Sequence, residues 1–255
     1  MPDSDRSEIA GLLKEAHRCL DVECQRIDEE IQAFQTFIER VEAIRPHSVS
    51  NEQHPPLRTR TMTAPDSAAR VQAAYEDTVM AVSHYEQEYG ETYAESLREE
   101  LTPEVATALT QQSAFDRACK QATVTAAREA THKRQLLRES LKTEREAIKT
   151  GKNALVPIAD QLMEYRTVTP TGVADATLDG YLRRLDVLEE RCQELIDQRQ
   201  DIRVAQRNRL RLSRPCTDIA YVYRELDVDY PLMAATATLI DEIQRLQGRF
   251  RRARA

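Results

Sequence analysis

Tryptophan is missing from this chain of 255 residues, phenylalanine occurs four times and glycine only six. Sheet cores draw on aromatic and β-branched residues and their tight turns on glycine, so the composition argues against strands. Abundant Ala, Glu, Arg, Leu and Gln fit long helices instead. No stretch approaches the ~18 consecutive apolar residues of a membrane-spanning helix. The opening "MPDSDRSEIAGLL" lacks the basic start and apolar run of a signal peptide, so an intracellular, cytoplasmic protein without a membrane partner is expected. The cysteines at 19, 24, 119, 192 and 216 form no CxxC pair and are expected as free thiols. Glycine-rich phosphate loops, HExxH and GxSxG are missing too, so no cofactor and no common nucleotide chemistry is expected.

Lysine is also scarce. Only Lys14, Lys120, Lys133, Lys142, Lys149 and Lys152 stand beside thirty arginines, against 43 acids and a net charge of −7. An acidic, arginine-rich, lysine-poor chain reads as the product of a salt-loving archaeon, although a high-GC genome gives the same arginine bias.

Heptad spacing is what the chain has in quantity. Leu13, His17, Leu20, Cys24, Ile27, Ile31, Phe34, Ile38 and Val41 alternate steps of four and three, which predicts a first long helix over 1–45, ended by Pro46. His17 is the odd residue of that row: a polar group there can fix helix register, but this close to the helix start it is expected to be partly wet. Residues 46–65 hold four of the ten prolines and read as a linker. Asp66 or Ser67 caps a helix with Val71, Tyr75, Val79 and Val82 on one face. Gly90 makes a turn, a short helix carries Tyr93, Leu97 and Leu101, and Thr102-Pro103-Glu104 starts another.

Residues 112–214 read as a helical hairpin. One seam runs through Phe115, Cys119, Ala122 and Ala126 and then Leu137, Leu141, Ile148, Leu155, Ile158 and Leu162, with bends at Gly151 and Pro157. The second runs through Leu178, Tyr181, Leu185, Leu188, Cys192 and Leu195, where Arg199 interrupts the row before Ile202. Two further helices are expected over 217–226 and 231–252. Seven of nine tyrosines fall in 66–111 and 215–255, which predicts that these segments pack together. The expected fold is therefore all-α, a long antiparallel coiled-coil stalk with a small helical head.

The stretches "YEDTVMAVSHYEQEYGE", "LDGYLRRLDVLEERC" and "DIAYVYRELDVDYP" resemble a haloarchaeal family known as a domain of unknown function. The resemblance covers most of the chain, implies a helical haloarchaeal protein and supplies no catalytic residues.

Three candidate sites were weighed. In "AVSHYEQEYGE" (81–91), His84 and Glu88 would share a face of a helix, but two ligands fall short of the three or four zinc takes. Tyr85 and Tyr89, also four apart, would anchor a neighbour, so this stretch reads as a packing corner. Glu129 and His132 have the spacing of a di-iron helix, yet no second copy exists and His132 lies off the seam. No metal and no catalytic residue is expected.

The third candidate is charge. Residues 203–214 and 245–255 each carry five arginines and no acid, with Arg203, Arg207, Arg211, Arg249, Arg251 and Arg252 as candidate partner-binding groups. Docking on the acidic remainder of the chain is the intramolecular alternative. About five phosphate contacts give an affinity falling as salt to the power ~4.5, a loss of four to five decades between ~0.2 M and ~2 M salt. Nucleic acid is therefore disfavoured against a protein partner, and the seams allow pairing within one chain or across a homodimer. The reading is a non-enzymatic coiled-coil protein of assembly or scaffolding, with a regulatory or chromosome-associated nucleic-acid binder as the alternative.

Overall fold

A computed structural model describes residues 4–47, 64–111, 115–211 and 219–254, leaving aside the side chains of 4, 5, 64–66, 203 and 205–211. Among the described residues, eight α-helices occur in this order: α1 (Ser4–Ala43), α2 (Ala64–Glu76), α3 (Tyr85–Glu88), α4 (Tyr93–Glu100), α5 (Pro103–Thr110), α6 (Arg117–Thr167), α7 (Asp175–Arg211) and α8 (Pro231–Arg254). Short 3-10 turns cover Val79–Ala81 and Ile219–Tyr223. The described residues contain no strand, and the fold is all-α.

The seam of α1 lies one residue away from the expected row at three places. Its buried side chains are Ile9, Leu13, Ala16, Leu20, Cys24, Ile27, Glu30, Phe34, Phe37 and Val41. Ala16, Glu30 and Phe37 thus replace His17, Ile31 and Ile38. The spacing remains three and four, so the helix face stays the same and rotates slightly. His17 is 37% exposed and faces Asp21 across 3.0 Å.

The chain forms two compact units. The first comprises Gln25–Arg138. Its core is built from Phe34, Phe37, Val41, Val71, Tyr75, Leu97, Leu109 and Phe115. Each such side chain contributes roughly 1.5–3 kcal/mol when fully buried. Phe37 and Tyr93 both meet the Tyr75 ring edge-on, at 5.2 and 5.7 Å between centroids. Along this part of α1 and α6 the partners run in opposite directions. Asp28 pairs with Arg138, Glu30 with Arg134 and Glu42 with Arg128. Lys120 Nζ donates to the carbonyls of Glu42 (2.6 Å) and Ile44 (2.8 Å), closing the C-terminal end of α1.

Local chemistry sets the short helices. Gly90 has φ +56°, the left-handed conformation that glycine adopts without cost, and it ends the α3 turn. Thr92 and Glu95 form a reciprocal capping box on α4. Thr102 accepts from Val105 N, with Pro103 opening α5, as the sequence predicts. The helix expected to begin at Asp66 or Ser67 starts at Ala64, and Ser67 Oγ instead donates to the Arg45 carbonyl (3.4 Å). It also stops at Glu76, so Val79 belongs to the following 3-10 turn.

The second unit comprises Met1–Cys24 and Glu139–Ala255. Here too α1 and α6 run antiparallel, through Arg6 with Asp160 and Asp21 with Arg145. The row Leu141, Glu144, Ile148, Leu155, Ile158, Leu162 and Tyr165 of α6 is buried, as is Leu178, Leu182, Leu185, Leu188 and Cys192 of α7. Tyr181 stacks on Phe250 at 5.4 Å and meets Tyr165 at 5.5 Å, joining α6, α7 and α8. Gly151 does not interrupt α6, and neither does Pro157. A Cβ at Gly151 would stand 2.2 Å from Leu232 Cδ1, so the missing side chain admits the start of α8. Of the helix expected over 217–226, residues 217 and 218 lie outside the described residues, and the described part holds a 3-10 turn over Ile219–Tyr223.

Residues 66–111 belong to the Gln25–Arg138 unit, and the described part of 215–255 belongs to the other. Tyr89 donates to Glu30 of α1 in the first of these units, and Tyr221 and Tyr223 donate to Glu23 of α1 and Glu144 of α6 in the second. Ala122 is exposed, because Thr123, Val124, Ala126 and Ala127 face the core in its place.

Candidate functional site

In the Gln25–Arg138 unit, the polar residues of 81–91 converge on one glutamate of α1. Glu30 is 6% exposed. Its Oε1 accepts from His84 Nε2 (2.8 Å) and from the Tyr89 hydroxyl (2.9 Å), while Oε2 accepts from Arg134 Nε (2.6 Å). Arg134 then forks onto Glu100 with Nη1 at 2.8 Å and Nη2 at 2.7 Å. Its guanidinium lies 4.5 Å from the Phe34 ring centroid. Burial alone would lower the pKa of Arg134, but bonds and charges from Glu100 and Glu30 outweigh it and hold the pKa above the ordinary value. A permanently charged guanidinium is thus bonded to two carboxylates.

The surrounding groups are committed as well. Ser83 Oγ donates to Glu29 (2.7 Å), and chiefly this bond lowers the Glu29 carboxyl pKa. Arg26 Nη1 donates to Glu88 (2.8 Å). His84 Nδ1 is buried without a hydrogen bond, 3.7 Å from Glu29. Burial raises the Tyr89 phenol, and the charge of Glu30 adds to the shift. The void among Glu30, Phe34, Tyr85, Tyr89, Glu100 and Arg134 measures about 10 Å³. That is at most the space of a single water. No group of three His, Cys, Asp or Glu able to hold a metal occurs among the described residues.

In the other unit, Glu144 is the counterpart, 2% exposed. It accepts from the Tyr223 hydroxyl (2.9 Å) and is bonded to Arg199 Nη2. Arg199, which breaks the α7 seam in sequence, is 6% exposed. A second buried carboxylate, Glu242, accepts from Arg166 Nε (2.6 Å) and pairs with Arg245. Cys192, in the same seam, has its thiol pushed up to about 11 by burial and by Glu189. Beside Arg199 a groove of about 470 Å³ is lined by Ala147, Gly151, Leu195, Ile202 and Leu232.

The sequence-predicted groups divide. Tyr85 is buried and its hydroxyl donates to the Glu91 carbonyl (3.3 Å), so it serves the core. Tyr89 is 42% exposed, with its ring 5.6 Å from that of Tyr85. Arg249 donates to the carbonyls of Tyr165 (2.5 Å) and Arg166 (3.2 Å), capping the end of α6. Arg251 and Arg252 are exposed, while Arg254 pairs with Asp179 (2.8 Å). The side chains of Arg203, Arg207 and Arg211 lie outside the described residues. His132 is exposed, off the buried face of α6. Sequence reasoning missed Glu30, Arg134 and Glu144. The available signal was an acid at seam spacing: Glu30 follows Ile27 by three, and Glu144 follows Leu141 by three.

This all-α chain belongs to the family described as Domain of unknown function (DUF7260), whose family model matches residues 11–247. No curated protein and no solved structure matches the chain significantly. None of its helices among the described residues is long and apolar enough to cross a membrane.

Proposed function

We propose that this protein is non-enzymatic and mediates protein–protein assembly or scaffolding through its paired helical seams. The observation that carries this reading is the state of the densest polar cluster. Glu30, Glu100, Arg134, His84 and Tyr89 bond one another, and the void they leave is about 10 Å³. Catalysis needs a group poised toward a substrate and room for that substrate. These side chains spend their bonds on each other. The finer reading, an antiparallel coiled-coil stalk in a cytoplasmic, high-salt setting, is part of the same proposal. It draws support from the three-and-four spacing of the buried rows and the opposed direction of the α1–α6 pairs.

Tyr89, Arg251 and Arg252 supply the outward-facing contact groups of this reading. The test is affinity capture from a native lysate in molar potassium chloride, with the wild type beside Tyr89→Ala and Arg251→Ala/Arg252→Ala. A stoichiometric protein retained by the wild type and lost by a variant supports assembly. Turnover of a substrate by the purified protein defeats it. The nucleic-acid alternative rests on the arginine segments, yet Arg245, Arg249 and Arg254 already have intramolecular partners. A gel-shift series against salt separates the two readings: retention near 2 M salt that Arg251→Ala/Arg252→Ala abolishes would favour nucleic acid.

A further inference from the structure

In the unit of Met1–Cys24 and Glu139–Ala255, the row of α6 carries Glu144 and the described part of the α7 row carries Arg199, and the two charges meet. Glu144 lies between Leu141 and Ile148 in the α6 row, both fully buried. Arg199 lies between Leu195 and Ile202 in the α7 row. The carboxylate is 2% exposed and the arginine 6%, so neither is solvated, and Tyr223 (1% exposed) closes the remaining acceptor from the side. Apolar rows at three-and-four spacing are nearly blind to register, because a slip of seven residues again places apolar groups opposite one another. Such a slip moves the helices by about 10 Å relative to each other, beyond the reach of the pair. Association of like helices fares no better. Two α6 seams would bury Glu144 with no cation, and two α7 seams would bury Arg199 with no anion.

We propose that the Glu144–Arg199–Tyr223 cluster is a register pin: it makes α6 and α7 select each other in one alignment and rejects pairing of either seam with the same seam of a second copy. The physical basis is asymmetric. A buried pair gives little net stability over apolar residues of the same shape, but any arrangement that separates it leaves a charge stranded in the interior. The correct pairing is therefore favoured through the penalty on all the others. This inference is independent of the assembly role proposed above, because it concerns how two helices of the chain choose each other.

The experiment compares the wild type, Glu144→Leu, Arg199→Met and the triple variant Glu144→Leu/Arg199→Met/Tyr223→Phe of the full chain. The readouts are thermal denaturation, light scattering across a hundredfold concentration range, and hydrogen exchange over 178–202. Each single variant should lose roughly 10 °C in Tm, and the triple variant should regain most of it. The triple variant should nevertheless become polydisperse, or exchange with two populations over 178–202, where the wild type shows one. A triple variant that keeps the wild-type mass and a single exchange population overturns the pin. So does one that cannot fold, because the cluster would then serve stability and not selection.

Discussion

Each compact unit buries a glutamate in the apolar row of a long helix, but the two carboxylates are secured with different redundancy. Both bond an arginine from another part of the chain and a tyrosine hydroxyl from a short segment. Glu30 has a third donor in His84, and its arginine is shared with Glu100 through a bidentate fork. Among the described residues, Glu144 has two donors and Arg199 has no such second carboxylate. What protects a buried charge is thus the number of alternative partners left after one is lost. By that criterion the Glu30 site is buffered and the Glu144 site is brittle.

The sharpest way to break the comparison is to delete each carboxylate. Glu144→Leu should cost about 3–5 kcal/mol in chemical denaturation, because Arg199 is left buried and uncompensated. Glu30→Leu should cost less, about 2–3 kcal/mol, because Arg134 keeps Glu100. The reverse order would show that the second carboxylate gives no protection.

Gly151→Ala comes next. The new methyl must displace Leu232, and overpacking of about 1–3 kcal/mol outweighs a helix-propensity gain of about 1 kcal/mol. In a Leu232→Ala background the same substitution should become neutral or stabilising, which equilibrium unfolding measures directly. A smaller effect tests the capping box: Thr92→Ala should cost about 1 kcal/mol in the Gln25–Arg138 unit.

The mildest probe is alkaline titration followed by ultraviolet absorbance. Burial raises the phenols of Tyr75, Tyr85, Tyr89, Tyr93 and Tyr223. A phenol whose folded pKa is raised favours the folded state while neutral. That contribution is intact below the unfolded value near 10 and is lost as pH climbs beyond it. At least these five should ionise late in the native protein, and all nine together near pH 10 after denaturation. Ionisation of all nine near pH 10 in the native protein would contradict the burial of both clusters.

Helices, the Gly90 turn and the Thr102-Pro103-Glu104 start were legible because each rests on local chemistry. The register of α1 was not. Ile31 and Ile38 look better suited to a core than Glu30, and donors 54, 59 and 104 residues away make the acid acceptable there. Arg199 is visible as an interruption of its row, whereas its matching acid on α6, Glu144, has no local feature beyond its seam spacing that sets it apart from the other acids of that helix. The tyrosine contacts are a further example. Four hydroxyls have a carboxylate or serine as partner: Ser96 for Tyr75, Glu30 for Tyr89, Glu23 for Tyr221 and Glu144 for Tyr223. Such pairings span helices and leave no periodic trace.

Arg249 gives the last stretch of the chain an unexpected duty. By composition it is a ragged basic appendage that one might trim or tag freely. Because its guanidinium plugs the two carbonyls at the final turn of α6, shortening the chain before this residue would unravel a helix end more than eighty positions upstream.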